Sequence, residues 1–151
     1  MLKIVKGNIF DSNANAILHQ VNCQGVMGSG VAKQVRERYP KVYQAYKQTC
    51  DRLGPREVFG LTQVCGISSN NSRYIVNLFS QLNYGYGKCH TDYEKLRGCL
   101  KIVNERFSGC TVAIPYKMGC DRGGGDWEIV SKMIEETLTG CDVTLYQFDG
   151  K

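Results

Sequence analysis

The chain has 151 residues, 42% hydrophobic and 22% charged, which is the balance of a globular protein with one buried core. Nineteen Lys and Arg against fourteen Asp and Glu give a formal charge of +5. No stretch approaches the roughly 20 apolar residues of a membrane span, and the N-terminus lacks the features of a signal peptide, so we expect a cytoplasmic protein without a membrane segment.

The first half of the chain alternates predicted strands with predicted helices. Apolar runs predict strands at 2–5, 16–22, 58–67 and 73–79. A helix is predicted from Gly30, and Pro40, which suits a first helical turn, predicts the start of another. The apolar residues of that second helix recur at helical spacing: Val42, Tyr43, Tyr46 and Cys50.

The second half continues this alternation. Residues 91–94 (TDYE) fit a capping box, in which Thr91 accepts from the third helical amide and Glu94 reaches back. Asp126 is the predicted N-cap of a last helix. Strands are predicted at 111–115 and 142–148. The pattern predicts a single α/β domain over residues 1–151, with helices on both faces of a sheet.

Two glycine-rich loops each lie between a predicted strand and a predicted helix. The first spans residues 25–30 and the second spans 119–125. Ligands of open α/β sheets bind beyond the carboxyl ends of strands, glycine allows backbone amides to approach closely, and a helix N-terminus favours an anion. The two loops are therefore expected to hold an anion such as a pyrophosphate from opposite sides. The alternative is that each loop is a tight turn followed by a helix cap.

Familiar nucleotide-binding motifs fit poorly. There is no G-x-x-x-x-G-K-[ST], and the G-x-G-x-x that begins at Gly28 continues with Lys33 instead of Gly or Ala. The Rossmann acid would be Asp51, which falls in a predicted helix. A P-loop NTPase and a dehydrogenase are both disfavoured.

The eight cysteines include no C-x-x-C pair, so they are expected to remain reduced, several of them in the core. Zinc would require Cys89 and His90 plus distant partners, and neither a metal nor a cofactor is predicted. A group of basic residues follows the first loop, either as a solvated helix face or as a positive field for phosphorylated ligands or nucleic acid: Lys33, Arg36, Arg38, Lys41, Lys47 and Arg52.

Two long motifs resemble the macrodomain family. They are KGNIFDSNANAILHQVNCQGVMGSGVA at 6–32 and IPYKMGCDRGGGDWEIV at 114–130. They are similar to the branch that contains terminal ADP-ribose protein glycohydrolase, antitoxins that remove ADP-ribose from DNA, and bacterial or phage proteins that process ADP-ribose-1″-phosphate. The resemblance implies a three-layer α/β/α fold around a mixed sheet of about six strands, with ADP-ribose in a cleft between the two loops.

The resemblance also implies ligand-binding roles. Asn8 would accept from the adenine amine and the Ile9 backbone would hold the adenine edge, while Asn22 would face the distal ribose. The first loop would wrap ribose and phosphates, the second would oppose it, and Tyr146 and Phe148 would form an apolar wall for adenine. The implied ligand-binding set is Asn8, Ile9, Asn22, Gly25, Val26, Met27, Gly28, Ser29, Gly30, Val31, Ala32, Met118, Gly119, Cys120, Asp121, Arg122, Gly123, Gly124 and Phe148.

The catalytic pair of the branch is not matched. The protein glycohydrolase of this branch uses a lysine and an aspartate, and their positions fall here on Gln81 and Gly123. Three other residues are candidates for the chemistry: Lys88, Asp121 and Asp126. Lys88 is otherwise an exposed side chain and Asp126 a helix cap.

Four further residues have side chains that could bind phosphate or take part in catalysis. Arg122 is a candidate to bind a terminal phosphate. His19, His90 and Cys120 are interpreted as residues without a catalytic role.

Two functions follow from this pattern. The first is hydrolysis of an ADP-ribose derivative: an ADP-ribosylated protein or nucleic acid, O-acetyl-ADP-ribose or ADP-ribose-1″-phosphate. The second is a non-catalytic module that reads ADP-ribose, which the residues at 81 and 123 favour. Nucleic acid is expected only as a modified substrate on the basic helix face, and the protein is expected to be a monomer.

Overall fold

The computed structural model describes residues 2–85, 88–120 and 123–148. The strands are β1 (Lys3–Lys6), β2 (Ala16–Asn22), β3 (Thr62–Gly66), β4 (Tyr74–Gln81), β5 (Thr111–Pro115) and β6 (Asp142–Gln147). The helices are α1 (Gly30–Arg38), α2 (Pro40–Leu53), α3 (Pro55–Val58), α4 (Tyr93–Arg106) and α5 (Trp127–Thr137), with a short 3-10 helix at Ile9–Asp11.

The six strands form one mixed sheet in the order β1-β6-β5-β2-β4-β3. β3 runs antiparallel to β4, and every other described pairing is parallel. The carboxyl ends of the five parallel strands therefore meet at one edge of the sheet. The loops that follow β1, β2, β4 and β5 all leave from this edge, which is where a ligand site is expected.

Helices cover both faces of the sheet, so the predicted three-layer α/β/α architecture is confirmed. Helices α4 and α5 pack on one face, where Leu96, Leu100 and Ile134 are fully buried with strand residues. On the opposite face, which we call the α1–α2 face, Val35 and Tyr46 pack against β2 and β4. Fully burying such an apolar side chain stabilises the fold by roughly 1.5–3 kcal/mol.

All eight cysteines are free thiols, and several belong to the core as predicted. Cys23, Cys50 and Cys99 are buried among apolar side chains. Within the described ranges, no helix is both long and apolar enough to cross a membrane.

The strand predicted at 58–67 was wrong at its beginning. Gly54, which has a φ of 84°, ends α2, and Pro55 then starts the single helical turn of α3. Val58 ends that turn and is buried on the α1–α2 face. The chain becomes extended only at β3. Other predicted strand bounds differ by one or two residues, as is usual at element ends.

The capping box predicted for α4 was also wrong. Asp92 is the N-cap, and its carboxylate accepts a hydrogen bond from the Lys95 amide at 2.9 Å. The Thr91 side chain is buried and its hydroxyl donates to the Gly119 carbonyl oxygen at 2.6 Å. Both residue types are able to cap a helix, but the contact with the second glycine-rich loop takes Thr91 away from the helix.

Candidate functional site

A cleft of about 450 Å³ lies at the carboxyl edge of the sheet, between the two glycine-rich loops. Of the residues implied by the resemblance, thirteen line it: Asn8, Ile9, Asn22, Val26, Gly28, Ser29, Gly30, Val31, Ala32, Met118, Gly119, Gly123 and Phe148. Tyr146 and Gln81 line it as well. Since these residues come from both ends of the chain, the fold brings the two sequence motifs together at one site.

Four residues of the implied ligand-binding set do not belong to the described walls of this cleft: Gly25, Met27, Cys120 and Gly124. Met27 is buried in the core of the α1–α2 face, and the open side of Gly25 faces the Lys47 side chain. Burial raises the pKa of the Cys120 thiol to about 11, so it is protonated at neutral pH. Asp121 and Arg122 lie outside the described residues.

Two catalytic candidates, Lys88 and Asp126, are also absent from the described cleft walls. Asp126 is the N-cap of α5, and its carboxylate accepts from the Glu128 amide at 2.9 Å. Lys88 is exposed. A Cβ atom at Gly124 would lie 2.5 Å from the Lys88 carbonyl oxygen. The structure therefore gives Asp126 a capping role and places Lys88 on the surface beside the second loop.

The first loop is held in shape by Asn22. The Asn22 side-chain amide donates to the Val26 carbonyl at 2.7 Å, and its oxygen accepts from the Gln24 amide at 2.9 Å. The buried Tyr46 hydroxyl lies 2.8 Å from the Asn22 carbonyl oxygen and 2.9 Å from the Asn22 Oδ1 atom. Asn22 thus connects the end of β2, the loop and α2, in addition to lining the cleft.

Helix α1 begins at the cleft with an open N-terminus. Among the described residues, the Ser29 N-cap side chain makes no hydrogen bond to the helix, and the first turn contains no acidic residue. The first intrahelical bond is donated by the Lys33 amide to the Ser29 carbonyl. The amides of residues 30–32 consequently precede the regular ladder and carry the positive end of the helix dipole, an arrangement that favours an anion.

The three glycines at 123–125 of the second loop have no space for a side chain. A Cβ atom at Gly123 would lie 2.6 Å from the Gly119 carbonyl oxygen and 2.7 Å from the Thr91 hydroxyl. The Gly125 amide also donates to the Gly119 carbonyl, at 2.8 Å. The bare backbone of Gly123 is therefore required by packing against 88–91 and within the loop, which explains why an acidic side chain has no place there.

Gln81 occupies the position where the resemblance implies a lysine, and both ends of its amide are engaged. Its oxygen accepts from the Gln20 side-chain amide at 2.8 Å, and its nitrogen donates to the Asn83 carbonyl at 2.8 Å. Gln20 also donates to the Thr91 hydroxyl at 2.9 Å. These bonds tie β2 and β4 to the second loop, and neither Gln81 nor Gly123 has a side chain that exchanges protons near neutral pH.

The far end of the cleft, beside β1 and β6, combines one amide side chain with an apolar wall. The Asn8 Oδ1 atom accepts from the Phe10 amide at 2.9 Å and so caps the 3-10 helix. The Phe148 side chain is 61% exposed along this wall, and Ile9 is buried. A planar, partly polar group fits this end better than a charged one, since an aromatic face is apolar and the described lining supplies few charges.

His19 lines the floor of the cleft on β2, although it was interpreted as a bystander. Its Nε2 atom lies 2.5 Å from the Asn77 Oδ1 atom, while among the described residues its buried Nδ1 atom has no hydrogen-bond partner. Burial lowers the pKa of His19 from 6.5 to about 4, with the Asn77 bond opposing part of that shift. The imidazole is therefore neutral at physiological pH.

Several residues that line the cleft were not predicted from the sequence. In addition to His19, they are Gly7, Gln20, Val21, Gln34, Tyr84, Gly85, Pro115, Tyr116 and Lys117. Most of them share one signal, which is their position at or just after the carboxyl end of β1, β2, β4 or β5. The rule that ligands bind beyond the carboxyl ends of strands, applied to every predicted strand, predicts most of these residues. The described residues contain no cluster of three or more His, Cys, Asp or Glu side chains arranged to hold a metal ion.

Comparisons with known proteins agree on one family. The Macro domain family model matches residues 18–134. A DNA ADP-ribosyl glycohydrolase of Thermus aquaticus is 29% identical over 97% of this chain and 41% of its own length. An ADP-ribose 1″-phosphate phosphatase of Saccharomyces cerevisiae is 30% identical over 68% of this chain and 58% of its own.

The fold comparison gives the same result. The solved structure of the macrodomain of Thermus aquaticus DarG superposes with a TM-score of 0.78 at 28% identity, covering 99% of this chain and 98% of that one. The chain spans about two fifths of the length of the glycohydrolase relatives that it matches.

Proposed function

The chain belongs to the Macro domain family, and on that premise we propose that its cleft binds ADP-ribose and that the protein hydrolyses an ADP-ribose derivative at the distal ribose. The observation that carries this proposal is the open N-terminus of α1, which faces the second loop across one cleft. The amides of residues 30–32 would bind the diphosphate. Asn8 and Phe148 would hold adenine at one end, leaving the distal ribose near β2 and β4.

The hydrolysis would break the bond between C1″ of the distal ribose and its substituent. A water molecule attacks C1″, the substituent leaves with the bonding electrons, and the water proton is transferred to the leaving group or to solvent. Gln81 and Gly123 cannot serve as acid or base, so the described residues would act by binding and orientation. Hydroxyl groups of the distal ribose would assist the water in place of a protein base.

Two relatives support this substrate class, one named for ADP-ribosylated DNA and one for ADP-ribose 1″-phosphate. An ADP-ribosylated protein presents the same C1″ bond. O-acetyl-ADP-ribose belongs to the same proposal as an ester in which water would attack the acetyl carbon and release acetate. A substrate panel with these four compounds distinguishes them, with product separation by chromatography as the readout.

A non-catalytic reader of ADP-ribose is the second candidate. The engaged amide of Gln81 favours it, because both ends of that side chain hold structure instead of facing a reacting atom. Binding of ADP-ribose without turnover of any of the four compounds would establish the reader.

The binding test uses calorimetric titration with ADP-ribose and two variants of Gly28. Of the described residues, a Cβ at Gly28 meets only the Val26 Cγ1 atom, at 3.5 Å, so a side chain is tolerated there. Gly28→Ala should keep its affinity, whereas Gly28→Glu puts a carboxylate beside the α1 N-terminus and should abolish binding while the protein stays folded. Failure of the folded parent to bind ADP-ribose, or equal binding by Gly28→Glu, would overturn the proposed site.

We also propose that the protein acts as a bacterial, cytoplasmic monomer. Eight free thiols favour a reducing compartment, and bacterial sources of several relatives favour a bacterial origin. A single species of about 17 kDa in light scattering would support the monomer, and a species of twice that mass would contradict it.

A further inference from the structure

We propose that Lys117 is a binding residue of the cleft and that its ammonium group pairs with the diphosphate of the ligand. This inference rests on the proposed function and adds a cation to the site, in addition to the amides of residues 30–32. Of the described residues that line the cleft, Lys117 alone has a charged side chain at neutral pH. Its place in the sheet and its backbone conformation both support a role in binding.

Lys117 lies at the middle of the carboxyl edge. It follows the end of β5, and β5 lies between β6 and β2 in the sheet. Tyr146, part of the wall proposed for adenine, is on β6, and the first loop leaves from β2. A diphosphate that joins adenosine to the distal ribose must cross between these two places. Lys117 is therefore beside the crossing, whereas a 1″-phosphate would lie further along the cleft, towards β4.

The side chain of Lys117 is exposed, and its ammonium group lies beside the cleft. The Nζ atom is 5.7 Å from the centre of the Tyr116 ring, and Tyr116 also lines the cleft. Among the described residues, Lys117 has no acidic side chain within ion-pair distance. Because a cation–π contact at an exposed site is weak, a phosphate oxygen would be the stronger partner for this group. The long, flexible stem of lysine allows the ammonium group to move from the ring to the ligand.

The backbone of Lys117 is in the left-handed region, with a φ of 61°. Apart from glycines, the only other described residue with a positive φ is Asn71. This conformation costs free energy for lysine, whereas glycine adopts it readily. The Met118 amide donates to the Pro115 carbonyl at 3.0 Å, and the Lys117 carbonyl accepts from the amide of residue 120 at 2.9 Å, so bonds on both sides hold the turn. A lysine where glycine would be more stable favours a functional role for its side chain.

Calorimetric titration of matched variants with ADP-ribose tests the charge. Lys117→Met removes the ammonium group from the cleft, and Lys132→Met removes one from the exposed side of α5, so both lower the net charge equally. Lys117→Met should weaken binding about 3- to 10-fold, Lys117→Arg should keep most of the affinity, and Lys132→Met should bind as the parent does. The loss in Lys117→Met should shrink as salt is added, because ions screen an exposed pair.

Two further measurements separate the charge from the backbone and locate the phosphate. Lys117→Gly should lose as much affinity as Lys117→Met, yet unfold at a higher urea concentration than Lys117→Met, because glycine adopts the positive φ without strain. Titration with ADP-ribose 1″-phosphate should show the same fold loss in Lys117→Met as titration with ADP-ribose, since the diphosphate is common to both ligands.

Several results would overturn this inference alone, provided that the parent binds ADP-ribose. They are parent-like binding by Lys117→Met or Lys117→Gly, an equal loss in Lys132→Met, and a loss that salt does not change. A larger loss with ADP-ribose 1″-phosphate would also overturn it, because the cation would then pair with the terminal phosphate. A parent that binds no ADP-ribose would overturn the proposed function as well.

Discussion

Buried polar side chains are concentrated around the cleft. His19 and Asn22 line it, and Asn77 and Thr91 hydrogen-bond to residues that do. Each buried polar group costs free energy unless it finds a partner. His19 pairs with Asn77, Asn22 bonds to the first loop and to Tyr46, and Thr91 bonds to Gln20 and Gly119. The site is therefore shaped before a ligand arrives, and the Nδ1 atom of His19 is the exception that faces no described partner.

The buried imidazole makes stability depend on pH. The folded pKa of His19 is about 4 against 6.5 in the unfolded chain, so as pH falls below 6.5 the unfolded state takes up a proton that the folded state does not. From about pH 7 to about pH 5, the unfolding free energy of the parent should therefore fall by about 2 kcal/mol more than that of His19→Phe. Urea denaturation of both proteins at the two pH values measures the difference.

If the unfolding free energies of parent and variant change by the same amount with pH, then folded His19 is protonated as easily as a free imidazole and this prediction is wrong. Carboxylates that titrate below this range are common to both proteins, so they cancel in the comparison.

Helix N-termini divide into two kinds at the scale of the element. In α4 and α5 an aspartate caps the helix, and an acidic residue occupies the first turn. In α1 and α2 the described residues supply neither feature, and of these two helix starts it is that of α1 that lines the cleft. A side-chain cap is worth about 1 kcal/mol, so leaving α1 open sacrifices stability at a helix start that lines the cleft. The open end is then available for an anion.

Adjacent residues at the start of α4 have separate roles that substitution should resolve. Asp92→Ala should lower the unfolding free energy by about 1 kcal/mol without changing ADP-ribose affinity. Thr91→Val leaves the Gly119 carbonyl with only the Gly125 amide as donor among the described residues, so it should cost about 0.5–1.5 kcal/mol and also weaken ADP-ribose binding, because the second loop loses its anchor. Denaturation and calorimetry measure the two effects.

Thr91→Ser is the matched control, since it keeps the hydroxyl and should restore both stability and affinity to near the parent values. An unchanged ADP-ribose affinity in Thr91→Val would show that the Thr91 bond to Gly119 does not position the loop for binding.

The net charge of +5 acts at the scale of the whole molecule. Lys33 is exposed on α1, whose first turn lines the cleft, whereas Lys101 is exposed on α4 behind the opposite face of the sheet. A nucleic acid that carries ADP-ribose into the cleft would extend past α1, and each phosphate contact releases counterions. The basic residues near the cleft should therefore govern the salt dependence of binding.

Lys33→Ala and Lys101→Ala test this with an ADP-ribosylated single-stranded oligonucleotide. The slope of log affinity against log salt should fall by about 0.7 in Lys33→Ala and remain at the parent value in Lys101→Ala. Equal slopes in the two variants would place the nucleic acid away from α1, and loss of binding to free ADP-ribose would point to damage at the cleft instead.

Local signals predicted most of the elements and the two loops of the site. Helical spacing and apolar runs depend only on residues a few positions apart. The helices and strands that they indicated are present, apart from the first part of the strand predicted at 58–67. The apolar run there indicated a strand, although Gly54 is typical of a helix end and Pro55 of a helix start. The resemblance carried by the long motifs at 6–32 and 114–130 implied twelve of the thirteen cleft residues within those motifs, and Phe148 outside them.

Contacts between distant residues decided the rest. Gln20 and Thr91 are separated by 71 positions, so the sequence around Thr91 indicated a helix cap, while the fold uses its hydroxyl to hold the second loop. Gly123 is bare because of a carbonyl and a hydroxyl brought to it by folding. The hydrogen-bond partner of the His19 Nε2 atom is Asn77, 58 positions away. Patterns of spacing determine which elements form, and only their packing determines which polar atoms meet a partner.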